Sequence, residues 1–89
     1  MKYRIDWSQR ALDAAARYWL NVPHDMRAKI TKATAMTDRV LTIDPENEGE
    51  SRTGDERILF MSPLIVTFAV DNLNRVVQIL NIRRDKRGR

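Results

Sequence analysis

The densest chemistry in this sequence lies at residues 83 to 89, RRDKRGR, where Arg83, Arg84, Lys86, Arg87 and Arg89 face a single acid, Asp85. Cations packed this closely neutralise phosphates and displace their counterions, giving nucleic-acid affinity that falls steeply with salt and carries little sequence information. Arginine adds a planar, permanently protonated fork, which makes a good charge clamp and a poor general base. The competing reading is a basic terminus kept for solubility. Charge segregation favours binding. The net charge is +4, and the other 82 residues hold 11 basic and 11 acidic side chains, so the whole excess sits in this segment. The chain is not uniformly basic: Asp44, Glu46, Glu48, Glu50, Asp55 and Glu56 make residues 44–56 an acidic loop opposed only by Arg52.

Other reactive groups are sparse. The one histidine, His24, stands between Pro23 and Asp25 in a turn, where a capping or surface role is the ordinary expectation. With no cysteine there is neither a disulfide framework nor a thiolate metal cage, and no cofactor or metal is expected. The N-terminus carries charge throughout and no apolar run approaches the length of a bilayer span, so the expectation is a cytoplasmic protein with no membrane partner.

The elements that must position these groups can be read from periodicity. In YRIDW, Tyr3, Ile5 and Trp7 alternate with Arg4 and Asp6, the pattern of a half-buried strand. Ser8 is placed to cap a helix over residues 8–20, whose apolar positions are Ala11, Leu12, Ala15, Ala16, Trp19 and Leu20. Asn21-Val22-Pro23 breaks it. A second helix starts at Pro23 or Asp25, with Met26, Ile30, Ala33, Thr37, Val40 and Leu41 on its apolar side and Lys29, Lys32 and Arg39 on a solvated face. Asp44-Pro45 closes it, and the acidic segment reads as a loop. Then RILFMS, LIVTFAV and RVVQILNI form three strands, the last two joined by the Asp/Asn-rich turn at 71–74. Trp7 and Trp19 fall on apolar faces and are expected in the core; Met26, Met36 and Met61 are expected to fill gaps.

Several of these stretches resemble the RelE/ParE toxins of bacterial type II toxin–antitoxin pairs: the strand with Trp7 running into an alanine-rich helix, the closure LTIDP, the triplet Gly49-Glu50-Ser51, Arg57 opening a strand, and LIVTFAVDNLNRVVQILNIRR. The resemblance covers essentially the whole chain as one domain, residues 1–89. It implies an α+β fold with a two-helix hairpin packed on a mainly antiparallel four-stranded sheet. It also implies a toxin that either cleaves mRNA at the ribosome without a metal or inhibits DNA gyrase, and that a cognate antitoxin neutralises.

In the nuclease branch the resemblance assigns phosphate binding at the catalytic centre to Arg52, Arg57, Arg83 and Arg84, with Lys86, Arg87 and Arg89 as further nucleic-acid contacts. Metal-free cleavage also needs an acid and a base. The sequence departs from that branch at three points: no lysine between Lys32 and Lys86, Pro63 or Leu64 at a hairpin position where the nucleases carry arginine, and no aromatic or histidine after Ile82. Those departures keep two other readings open, a gyrase-type binding inhibitor and a non-catalytic member that only binds an antitoxin or another partner. Arg52 and Arg57 have an alternative as well, surface pairing with Glu50, Asp55 and Glu56.

Overall fold

The computed structural model describes residues 2–85. Strand β1 (Arg4–Trp7) leads into helix α1 (Gln9–Leu20) and helix α2 (His24–Ile43), followed by a 3-10 turn at Pro45–Asn47. Strands β2 (Glu50–Ser51), β3 (Glu56–Met61), β4 (Leu64–Asp71) and β5 (Val76–Arg84) complete the domain. They form one sheet in the order β1-β5-β4-β3-β2, with β1 parallel to β5 and every other pair antiparallel. The sheet therefore has five strands where four are expected, because the acidic segment is not wholly a loop. It contributes the 3-10 turn and the short β2. Lys86, Arg87 and Arg89 lie outside the described residues.

The two helices cover one side of the sheet. Leu64, Val66 and Phe68 of β4, with Val77, Ile79 and Ile82 of β5, point into that layer and are almost fully buried. They meet Ala11 and Ala14 of α1 and Ile30, Ala33 and Leu41 of α2. Truncating a buried aromatic such as Phe68 to alanine costs about 3–5 kcal/mol, which sets the scale of this packing. Thr37, the buried polar member of α2, donates its hydroxyl to the Ala33 carbonyl at 2.8 Å and so leaves nothing unsatisfied.

Helix α1 is rotated from the expected face. Its small residues Ala11 and Ala14 are the buried ones, whereas Leu12, Trp19 and Leu20 are exposed. Trp19 is a correction: it is not core but stacks against the Arg27 guanidinium, 4.5 Å from the ring centroid. Arg27 also donates from Nε to the Trp19 carbonyl at 2.9 Å and from Nη2 to the Leu20 carbonyl at 3.4 Å. Those carbonyls end α1, beyond the Arg17 and Tyr18 carbonyls that accept from the Asn21 N–H, and no later helical turn exists to bond them. Trp7 is half-buried at the edge of the core and donates its indole N–H to Asp38 of α2 at 2.9 Å.

Ser8 joins three elements. Its side chain accepts from the Ala11 N–H at 3.0 Å as the helix cap, and its hydroxyl donates to the Leu80 carbonyl at 3.1 Å. Its own N–H donates to the Ile79 carbonyl at 2.9 Å. Those two carbonyls flank an irregularity: Phe68 pairs with Ile79 but Thr67 pairs with Asn81, so Leu80 is an extra residue, a β-bulge. At the other end of this hairpin, Asp71 accepts from the Asn74 side chain at 2.9 Å and from the Asn74 N–H at 3.1 Å. These bonds hold its carboxyl below the ordinary value of 3.8.

Two outcomes are expected. Ser8→Ala, which loses the cap and the bulge contact together, should lower unfolding stability by about 2 kcal/mol in a urea titration. Asp71 titrates lower folded than unfolded, so its stabilisation is complete above 3.8 and is lost as pH falls through the depressed value. The Tm difference between the protein and Asp71→Ala should accordingly be present at neutral pH and close in strong acid.

Candidate functional site

The open side of the sheet, opposite the helices, follows from the strand registers. Residues directly opposite on paired strands point the same way, and successive residues alternate. Val66 and Ile82 face the helices, so their neighbours Ile65 and Arg83, themselves a cross-strand pair, face outward. Phe60 pairs with Ile65 from β3 and extends the row. Phe60, Ile65 and Arg83 thus form a strip across three strands, an exposed cation next to a half-exposed ring and an aliphatic side chain. The next outward row is Glu50, Ile58, Thr67 and Asn81.

The bulge decides which arginine belongs to this strip. Val77 and Ile79 point inward two residues apart, but the next inward residue of β5 is Ile82, three further on. Leu80 absorbs the difference. Strict alternation from Ile79 would have turned Arg83 inward and Arg84 outward. In the structure Arg84 is the partner of Leu64, on the helix side at the exposed strand end, and β5 runs through both arginines where the expected strand stops at Ile82.

Arg57 is on the helix side too, opposite Phe68. Its guanidinium donates from Nε to the Glu48 carbonyl at 3.0 Å, from Nη1 to Ser51 Oγ at 2.9 Å and from Nη2 to the Gly49 carbonyl at 3.2 Å. These are carbonyl and hydroxyl acceptors, not the neighbouring acids that sequence proximity suggests. The triplet Gly49-Glu50-Ser51 is therefore what Arg57 grips. Gly49 itself has φ +70, and a Cβ there would lie 2.2 Å from the Ile58 carbonyl oxygen, so only glycine lets the chain pass so close to β3.

Arg52 does take the surface-pairing form, with Nη1 at 3.4 Å from Glu50 Oε1. Both side chains are largely exposed, so the pair contributes about 0–1 kcal/mol. Arg52 shares the outward side with Arg83 but lies three strands away and further along the sheet, about 20 Å by strand spacing and rise. The four arginines assigned to phosphate are thus dispersed: Arg83 outward at one end, Arg52 outward at the far corner, Arg57 and Arg84 on the helix side.

Strands β3, β4 and β5, which form the strip, contain no lysine, tyrosine or histidine. Tyr18, His24, Lys29 and Lys32 belong to the helix layer. Tyr3 is buried, donates to Asn72 Oδ1 at 2.7 Å and carries Arg75 over its ring. The Asn72 amide in turn donates to the Glu46 carboxylate, tying the β4–β5 turn to the turn after α2. Among the described residues no cluster of three or more His, Asp or Glu is arranged to hold a metal ion, and no helix is long and apolar enough to cross a membrane. Phe60 and Ile65 are the members of the strip that the sequence reading missed; the two-then-three spacing of Val77, Ile79 and Ile82 is the signal that would have found it.

Known structures share this architecture. The RelBE2 toxin–antitoxin complex of Mycobacterium tuberculosis contains a chain that superposes with a TM-score of 0.73 at 11% identity, over 94% of this chain and 99% of that one. The chromosomal ParDE system of P. aeruginosa gives 0.69 at 18%, over 92% and 95%. The archaeal RelE–RelB complex of Pyrococcus horikoshii gives 0.66 at 18%, over 98% and 99%. No protein-family model matches the sequence, and a search of curated proteins finds no match. At these identities the likeness establishes the fold: two helices on a mixed sheet, as in the RelE and ParE toxins.

The clamp around Arg57 can be tested directly. A lysine there cannot reach three acceptors in one plane. Arg57→Lys should raise backbone hydrogen exchange at residues 48–51 at least several-fold while leaving the helices protected.

Proposed function

We propose that this chain is the toxin component of a type II toxin–antitoxin pair, and that it acts by binding a macromolecular target through the open side of the sheet. The shared fold with toxin chains that were solved in antitoxin complexes supports the first half, and makes a cognate antitoxin the expected partner. The placement of the arginines carries the second half. Of Arg52, Arg57, Arg83 and Arg84, Arg83 alone stands in the apolar strip with Phe60 and Ile65, and the three strands that form the strip carry no lysine, tyrosine or histidine. A cation bordered by a ring and an aliphatic side chain suits a protein or nucleoprotein surface, where Arg and aromatic anchors carry most of the binding energy.

This reading favours the gyrase-inhibiting type over ribosome-dependent mRNA cleavage. In it, Arg83 contacts the target directly, Arg84 flanks it, and Lys86, Arg87 and Arg89 add salt-sensitive attraction to any nucleic acid held there. Arg57 serves by holding the β2 turn in place and Arg52 contributes little.

Induction in a bacterial host, alone and with the antitoxin, tests the reading. Growth should stop when the chain is expressed alone and resume with the antitoxin. Arg83→Ala should abolish the arrest with the unfolding midpoint unchanged, and Arg84→Ala should weaken it far less. In vitro, supercoiling by gyrase should fall as the protein is added, and messenger RNA on translating ribosomes should stay intact. Mapped cleavage within codons at the ribosome would overturn the binding mechanism, and normal growth on induction would remove the toxin reading.

A further inference from the structure

At the end of the sheet that carries Arg83 and Arg84, a pocket of about 280 Å³ opens between α2 and the turn joining β3 to β4. Of the chain's four methionines, Met26, Met36 and Met61 all line it, and each is half-buried. Met61 pairs across the strands with Leu64, and Leu64 with Arg84, so this thioether stands on the helix side, one residue from the outward Phe60. Met26 and Met61 pack against the core. Met26 and Met36 are about 15 Å apart along α2 by helical rise, so the sulfurs line a trough and do not gather around one point as ligands of a soft metal ion would.

A methionine that only fills a gap is shut away from solvent, but these three meet it along a single opening. What separates a thioether from an aliphatic side chain of the same size is oxygen transfer. The sulfur lone pair attacks a peroxide oxygen, the O–O bond breaks as the S–O bond forms, sulfur is oxidised to the sulfoxide, and the peroxide is reduced to water or an alcohol. The product puts a polar acceptor where an apolar group was. Donors for that acceptor are at hand. Lys29 follows Met26 by three residues and Lys32 precedes Met36 by four, spacings that set side chains next to each other on a helix, and both lysines line the pocket.

We infer that this pocket is a site of reversible methionine oxidation by a peroxide, and that the sulfoxide of Met61 releases the β3–β4 turn from α2. Its oxygen is drawn toward the lysines across the pocket and away from the core side chains that the thioether packs on. The turn is also bonded to the end of β5, where the Asp85 N–H donates to the Pro63 carbonyl at 2.8 Å, so its release reaches the strand end that holds Arg83. The oxidation and the loosening stand apart from the sheet-side reading; only their consequence for target binding rests on it.

Hydrogen peroxide is the probe, added to the folded full chain, with peptide mass spectrometry following each methionine. Met26, Met36 and Met61 should oxidise at rates within about tenfold of those in the urea-unfolded chain. The oxidised protein should unfold at a lower midpoint, and backbone hydrogen exchange at residues 60–65 should rise at least about threefold while α1 stays protected. Methionine sulfoxide reductases A and B with a dithiol, which becomes a disulfide as the oxygen leaves in water, should restore both. Met61→Leu, of similar volume, should lose the peroxide-dependent rise in exchange. Met26→Leu with Met36→Leu keeps Met61, should retain the rise, and serves if Met61→Leu fails to fold. The proposal is overturned if the three methionines react more than about tenfold slower than in the unfolded chain. It is likewise overturned if their oxidation leaves exchange at residues 60–65 unchanged, if the reductases do not reverse the effect, or if Met61→Leu responds equally. None of these readouts depends on toxicity, so this failure and that of the sheet-side reading are distinguishable.

Discussion

One extra residue in the last strand governs the outward surface of this protein. Inserting Leu80 into β5 moves every later side chain by one place in the alternation, so Ile82 turns inward and Arg83 outward. Ser8 sits at this irregularity: its N–H continues the β1–β5 ladder onto the Ile79 carbonyl, and its hydroxyl donates to the carbonyl of the inserted Leu80. The same serine caps α1. Helix start, strand irregularity and the orientation of the exposed arginine are therefore one connected arrangement, in which a residue at position 8 controls what residue 83 presents.

The helix layer follows a related economy of size. Alanines, not leucines, make the close contacts of α1 with the sheet, so the larger apolar side chains are left at its flank. The hairpin then needs a different fastening, and Arg27 provides it by stacking on Trp19 and closing the carbonyl end of α1. A guanidinium suits this because it offers a flat face to the indole and donors in its plane at the same time.

Much of the fold was legible because local chemistry and global packing agree in those places. Ser8 before an alanine-rich segment, proline after Val22, and an Asp/Asn turn between two β-rich runs each have one economical structural answer, and the structure adopts it. What was not legible has physical causes. β2 is two residues, glutamate and serine, with no apolar signal; it exists because Gly49 allows the approach and Arg57 holds it. Trp19 matches a helical stripe equally well inside or out, and only the size of Ala11 and Ala14 against the sheet separates the two. Of the arginine pair after Ile82, the sequence offers both, and the inserted residue in β5 chooses between them. The acids beside Arg57 in sequence misled, since a guanidinium clamped on carbonyls leaves no composition signature.

The parallel pairing of β1 with β5 joins residues 4–7 to residues 76–79. Such a distant partner makes the edge of the sheet a late event in folding, because the closure entropy of nearly the whole chain must be overcome before the contacts form. During synthesis β1 has no strand to join until β5 has left the ribosome. Ser8 cannot reach its carbonyls, nor Arg83 take its outward place, before that moment. The chain is thus assembled around a surface that comes into being last, and the interval before it does is built into the topology of the sheet.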